Sequence, residues 1–338
     1  MRRSKQPGEN IRRFRLLALA CLLLPLSIIQ AQDAEPSPAR SPTQLVKLTM
    51  IVTDAKHHSV DDVRQDEIQL EGDKLAQTIV SLSRDQRPVD YALVVDTSAS
   101  FRSLLPPVVE TAKILMNGNQ ADDETFVERF VDSKKIETLQ DFTADKTKLN
   151  AALDSLFIEE GQSAVIDAVY LAIEHTAQHY DAPAGRRRAV VLFTDGEDRA
   201  SYYGSDPLTK LIREKDVQVF VVGIVNLLAK DAGFIRRSPR EAAETLLNRI
   251  AEESGGRVFF PQNLTELSNA MAEIQHDLRS QYLVGFERPT KPGEKGFRKL
   301  KFKIASLPGR EKLTVITRPG FFVNVQTSVQ KATEKKSP

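Results

Sequence analysis

The chain has 338 residues with 47 basic and 46 acidic side chains, 41% hydrophobic residues and a single cysteine. A formal charge of +1 gives no electrostatic case for nucleic acid, and one cysteine rules out an internal disulfide framework. The length is ample for a buried core that stands without such cross-links.

The first residues carry Arg2, Arg3, Lys5, Arg12, Arg13 and Arg15, then an apolar stretch from Leu16 to Ile29, then Gln30 and Ala31. A basic region, a short apolar region and a small residue at the boundary predict a secretory signal over 1–31, cut after Ala31. The competing reading is an uncleaved amino-terminal anchor, although the stretch is short against the roughly 20 residues of a membrane span. Lipidation at Cys21 is disfavoured, because few apolar residues precede it, Ala18 stands where a Leu is expected, and more apolar chain follows. The expected address is exported: periplasmic, cell-surface or secreted. With residues 1–31 set aside, which hold six basic and one acidic residue, the remainder has 41 basic against 45 acidic residues, a charge of −4.

Residues 32–42 are rich in Pro, Ser and Ala and predict a disordered tether. Residues 44–54 alternate, with Val46, Leu48, Met50 and Val52 on one face and Lys47, Thr49 and Thr53 on the other, the pattern of a half-buried strand. Shorter strands are expected at 67–71 and 78–82, with Glu71-Gly72-Asp73 as the turn between them. No helical pattern occurs before residue 100.

The middle of the chain alternates strand and helix. Strands are expected at 90–95, 125–131, 136–139, 188–193, 217–223 and 256–260, and helices at 103–116, 146–156, 163–179, 207–214, 240–253 and 264–279. The strands either side of Asp132-Ser133-Lys134-Lys135 read as an antiparallel hairpin, its first strand a candidate for the sheet edge. This alternation predicts an α/β fold: a doubly wound, mostly parallel sheet with one antiparallel edge strand, covered on both faces. Beyond the last helix the period returns to two, at 282–286, 299–304 and 312–316, and Pro319-Gly320-Phe321-Phe322-Val323 closes the fold. Neither strand-rich flank makes a comfortable domain alone. The amino flank (43–88) and carboxyl flank (281–325) are therefore expected to form one small β-sandwich with the α/β domain (89–280) inserted in it. Residues 326–338 read as a solvated, disordered tail.

The chemistry concentrates at two strand ends. Tyr91-Ala92-Leu93-Val94-Val95 runs into Asp96-Thr97-Ser98-Ala99-Ser100, and the strand at 189–193 runs into Thr194-Asp195-Gly196. Carboxylates and hydroxyls at alternate positions can converge on one hard cation, which takes oxygen ligands. Carboxyl ends of strands are where open α/β sheets place their ligands. Gly161-Gln162-Ser163 lies between the two elements.

These residues resemble the metal-ion-dependent adhesion site of von Willebrand factor type A domains, whose pattern is D-x-S-x-S, then a Thr, then Thr-Asp-Gly. The resemblance covers 89 to about 275. It implies a metal site of Asp96, Ser98 and Ser100 in a first loop, Ser163 in a second and Asp195 in a third. The cation implied is Mg²⁺, with Mn²⁺ or Ca²⁺ as alternatives, and one position is left open for an Asp or Glu of a protein partner. Ser163 stands where the family has Thr, keeping the oxygen but losing the methyl that fixes its rotamer. The outline also resembles a narrower group of bacterial exported proteins with strand-rich flanks. That likeness rests on Val52-Thr53-Asp54, on the run from Leu278-Arg279 through Gln281-Tyr282 to Gly285, and on Pro319-Gly320-Phe321-Phe322.

Each motif has a plainer reading. Asp96 suits a turn, Ser98 and Ser100 suit caps for the helix that follows, and Ser163 suits the N-cap of the helix at 163–179. Asp167, one turn beyond Ser163, is a candidate to hold water at the site or a solvated acid. His175 and His179 have the spacing of helical zinc ligands but lack the glutamate that follows the first histidine in such hydrolases, so one packed and one solvated histidine are expected. The loop from Lys230 to Arg240 is long and basic, and either shapes partner choice or is simply solvated. No phosphate-cradling glycine run and no Ser-His-acid arrangement is present, so neither a nucleotide nor another small-molecule cofactor is expected. The sequence therefore predicts a non-catalytic binding module that captures a protein through a divalent cation. It binds no nucleic acid and touches a membrane only if the signal stays uncleaved. The alternatives are a structural envelope protein with a vestigial or fold-stabilising site and, further off, a metal-assisted phosphohydrolase.

Overall fold

The computed structural model describes residues 43–179, 185–228, 238–290, 293–305 and 309–323. The expected signal, tether and tail, and most of the basic loop after Lys230, lie outside the described residues.

Two sheets organise the chain. The first has the order β6-β5-β4-β7-β8-β9. Its strands are β4 (Val89–Asp96), β5 (Glu124–Phe130), β6 (Ile136–Thr143), β7 (Arg187–Thr194), β8 (Gln218–Gly223) and β9 (Val258–Phe259). All pairings are parallel except β5 with β6. The edge is thus the second strand of the expected hairpin, not the first. The first is needed inside, because β5 is the more apolar strand, with Phe126, Val127 and Phe130 fully buried, whereas β6 is partly exposed along its length.

Among the described residues six helices cover this sheet: α1 (Leu105–Asn117), α2 (Lys146–Asp154), α3 (Val165–Gln178), α4 (Ser205–Glu214), α5 (Pro239–Ser254) and α6 (Leu264–Ser280). The central strand β4 shows why both faces are covered. Tyr91, Leu93 and Val95 enter one apolar cluster with α1, α2 and α6, while Ala92 and Val94 enter another with α3, α4 and α5. A strand buried on both faces reads as a continuous apolar run, which is the pattern of 91–95. After β4 the chain goes to β5 on one side, then crosses to β7 on the other, so the carboxyl end of β4 is a topological switch point. The helix ends follow local chemistry. Ser238 and Glu241 make a capping box at the start of α5, and Gly255, with φ +76°, stops it in the left-handed conformation.

The flanks build the second sheet, seven antiparallel strands in the order β12-β1-β10-β3-β2-β11-β13. These are β1 (Thr43–Thr53), β2 (Ile68–Gly72), β3 (Leu75–Arg84), β10 (Tyr282–Pro289), β11 (Gly296–Ile304), β12 (Thr314–Ile316) and β13 (Gly320–Val323). The two flanks are interleaved: β10 lies between β1 and β3, so neither flank closes a sheet without the other. The sheet curls around its own apolar residues. Val46, Leu48, Leu70, Phe286 and Phe321 form one buried cluster, and Met50, Val52, Ile68, Tyr282 and Val284 form the next. The β2–β3 connection is Asp73-Lys74, both at positive φ, one residue beyond the expected turn, with Gly72 still in the strand. The opposite face of β1 is also used, since Ile51 joins the core under α1 and α6. Among the described residues no helix is long and apolar enough to cross a membrane.

Candidate metal centre

Asp96 is the last residue of β4 and is fully buried. Its carboxylate is surrounded by hydroxyls. Ser98 Oγ donates to Oδ1 at 2.6 Å, with the Ser98 amide at 3.0 Å. Thr194 Oγ1 donates to Oδ2 at 2.8 Å. Ser163 Oγ lies 3.3 and 3.2 Å from the two carboxylate oxygens and 2.8 Å from Ser98 Oγ. Ser100 Oγ is 3.2 Å from Ser98 Oγ, and its hydroxyl also bonds Asp195. All five residues expected at the site therefore meet in one cluster. Ser100 is the exposed member, which puts the mouth of the site on its side.

The plainer readings of these hydroxyls do not describe their contacts. The helix after Ser100 begins with Leu104 as N-cap and no side-chain cap. α3 begins with Ala164 as N-cap, also without one, and Ser163 turns its hydroxyl to Asp96 instead. The cap of α3 comes from elsewhere: Asp198 Oδ1 accepts from the Ile166 amide at 3.1 Å. Asp167 does not face the cluster. It accepts from the amides of Tyr202 and Tyr203 at 2.7 and 2.8 Å and so holds the loop that follows β7. Thr194 is the member whose role sequence reasoning missed. It was visible in the Thr-Asp-Gly run, and it proves to be the residue joining the third loop to Asp96.

Electrostatics fit a cation. Burial, reinforced by the neighbouring Asp195 charge, pushes the Asp96 carboxyl up to about 6. Burial raises Asp195 as well. Among the described residues Asp96 has no ion pair; its partners are three hydroxyls and one amide. Among the described residues the cluster gathers only oxygen donors, two buried carboxylates and the hydroxyls beside them, which is the kind of donor a hard divalent ion takes.

A second group lies at the opposite end of the same strands. Asp90, near the start of β4, Glu124, the first residue of β5, and His179, just past α3, bring their possible ligand atoms within 4.8 Å of one another. This is a candidate divalent-cation site in its own right. His175 and His179 do not share a ligand: His175 Nε2 contacts Asp141 at 2.8 Å, and His179 Nε2 contacts Glu124 at 2.8 Å. Phe142 stacks against both rings.

A profile of the von Willebrand factor type A domain matches residues 90–273, more than half of the chain. The chain belongs to the von Willebrand factor type A domain family, adhesion domains that are typically non-catalytic, and carries additional strands on both sides. No curated protein matches it. Among solved structures it is similar to an aerotolerance-related membrane protein from Bacteroides fragilis, at 22% identity over 56% of this chain and 98% of that one, with a TM-score of 0.43. Conserved hypothetical protein BatB from Bacteroides thetaiotaomicron gives 20% identity over 56% and 98%, at 0.43. Proximal thread matrix protein 1 from the mussel byssus gives 18% over 62% of this chain and 50% of that one, at 0.46.

Proposed function

We propose that the chain is an exported protein-capture module in which Asp96, Ser98, Ser100, Ser163 and Asp195 hold a divalent cation. Mg²⁺ is the first choice, with Mn²⁺ or Ca²⁺ as alternatives. The observation that carries this reading is the buried carboxylate of Asp96, surrounded by hydroxyls and, among the described residues, lacking an ion pair. A bound cation supplies a positive centre that an Asp or Glu of a partner protein can approach. The residues of the chain do the rest. Thr194 and Ser163 orient Asp96, the exposed Ser100 marks the side open to solvent, and Asp167 fixes the neighbouring loop. Neither nucleic acid nor a small-molecule cofactor is part of the reading.

The organisation proposed with it has a signal at 1–31, a tether at 32–42 and flanks at 43–88 and 281–325. Between the flanks stands the metal-binding domain at 89–280, and a tail follows at 326–338. The address proposed is outside the cytoplasm, in periplasm, at the cell surface or in the medium, with membrane attachment only if the signal is retained.

The test is thermal unfolding of the full chain, first stripped with chelator, then with Mg²⁺, Mn²⁺ or Ca²⁺ added, beside Asp96→Ala. A ligand that binds the folded state raises apparent stability by about 2.7 kcal/mol at a hundred times its dissociation constant. A cation-dependent rise that the variant lacks supports the site. No rise in the stripped wild-type chain would move the reading to a structural envelope protein.

A further inference from the structure

The domain has chemistry at both ends of β4. Asp96 closes the strand, and Asp90 lies six residues earlier, about 20 Å away at the rise of an extended strand. The same span is bridged on the sheet's face by α3, whose 14 residues cover about 21 Å. α3 begins two residues after Ser163 and ends one residue before His179. One helix and one strand thus connect the hydroxyl cluster to a group of different composition.

We propose that Asp90, Glu124 and His179 form a second metal site, separate from the hydroxyl cluster and suited to Zn²⁺ or a similar transition-metal ion. Three observations carry it. Asp90 and Glu124 are direct neighbours in the parallel pairing of β4 and β5, so both carboxylates issue from one end of the sheet. His179 is brought to them by the end of α3, with Nε2 2.8 Å from Glu124 Oε2. Asp90 is fully buried, Arg186 Nε donates to its Oδ1 at 2.5 Å, and among the described residues Oδ2 has no hydrogen-bond partner. A buried carboxylate oxygen without a donor is costly, and it belongs to a residue that brings a carboxylate oxygen within 4.8 Å of the ligand atoms of Glu124 and His179.

The donor set determines the class of ion. One imidazole nitrogen with two carboxylates suits zinc and its neighbours, whereas the all-oxygen cluster at Asp96 suits Mg²⁺. Metal ligands bind deprotonated, so binding releases to solvent the proton shared between His179 Nε2 and Glu124 Oε2, and Nε2 takes the ion through its lone pair. The ring is already held in place, since it stacks on Phe142 with centroids 3.7 Å apart and planes at 10°. An ion here fastens the end of α3 to the starts of β4 and β5.

Equilibrium dialysis of the untagged full chain against Zn²⁺, with metal analysis, tests this. The experiment is done in an Asp96→Asn background so that the hydroxyl cluster contributes nothing. One equivalent of zinc is expected in that background, and its loss, or at least a tenfold weakening, on adding His179→Gln. Co²⁺ gives a second reading on the wild-type chain. Visible bands of a low-coordinate nitrogen- and oxygen-ligated site are expected, kept in Asp96→Asn and lost in Glu124→Gln, which carries the test if His179→Gln does not fold. No zinc in the Asp96→Asn chain, or an equivalent that survives both substitutions, overturns the second site and leaves the reading of the first untouched.

Discussion

The Thr194 hydroxyl donates to Oδ2 of Asp96 at 2.8 Å, joining the carboxyl ends of two adjacent parallel strands. Thr194 Oγ1 in turn accepts from the Gly196 amide at 3.0 Å, so one side chain sets both the carboxylate and the turn beside it. Thr194→Val keeps the shape and removes both bonds. Outer partners of this kind are worth about 10–100-fold in metal affinity, and a hydrogen bond to a charged group about 1.5–3 kcal/mol. We expect Mg²⁺ affinity to fall by about tenfold or more and the metal-free chain to lose about 2 kcal/mol. Urea unfolding with chelator and across a Mg²⁺ titration reads both. Unchanged affinity would show that Thr194 does not orient the ligand.

Ser163 is buried and in contact with both carboxylate oxygens of Asp96. A serine hydroxyl has more rotamer freedom than a threonine hydroxyl, whose extra methyl restricts χ1. Ser163→Thr is expected to tighten cation binding by a few-fold, and Ser163→Ala to weaken it by about tenfold or more. The readout is the cation concentration that gives half of the thermal shift. Equal midpoints for Ser163→Ala and the wild-type chain would remove Ser163 from the site.

Much of this was legible in the sequence, for a physical reason. The central strands are apolar on both faces and the helices carry a 3.6-residue stripe, so period alone separates them. The D-x-S-x-S run needs only the strand that precedes it to place three oxygens at one strand end. What was not legible depends on contacts between distant segments. Asp167 and Asp198 lie on opposite sides of a crossover, and spacing could not say that Asp198 caps α3 while Asp167 grips the loop at Tyr202 and Tyr203. The edge of the sheet was misplaced because hairpin strands look alike until the parallel partner of one is known. The grouping of His179 with Asp90 and Glu124 joins three elements, and helical spacing pointed instead to His175.

Another long-range contact joins the curled sheet to the α/β domain. Asp277 of α6 is fully buried, and it bonds Arg257 Nη1 at 2.6 Å and the Ser59 hydroxyl at 2.5 Å. Arg257 also donates to the His57 carbonyl at 3.1 Å, in the turn beyond β1, and to the partly exposed Glu273 at 3.0 Å. Removing one partner of a buried pair leaves an uncompensated charge, at a cost of about 3–5 kcal/mol. Arg257→Met is therefore expected to destabilise strongly, while Arg257→Met combined with Asp277→Leu recovers most of the loss. Denaturant midpoints of the four chains form the double-mutant cycle. Additive effects would mean that the two residues act separately.

Glu128 gives a pH dependence with a defined sign. It lies in the middle of β5, 4% exposed, beside Phe126 and Phe130 on alternate residues, and among the described residues its Oε1 has no hydrogen-bond partner. Burial alone pushes its carboxyl from an ordinary 4.5 up to about 8. Between those two values the unfolded chain holds Glu128 ionised and the folded chain holds it protonated, so folding takes up a proton. The contribution of this group is present in full below about pH 4.5 and is lost as pH rises to about 8, at on the order of 1 kcal/mol per pH unit. Glu128→Gln keeps the shape without the titration. It is expected to match the wild-type chain near pH 4.5 and to exceed it by a few kcal/mol at pH 8. Urea midpoints of the two metal-free chains at both pH values measure the difference directly, because the titration of every other group is shared. A constant difference between the chains across that range would mean that Glu128 is ionised in the folded protein.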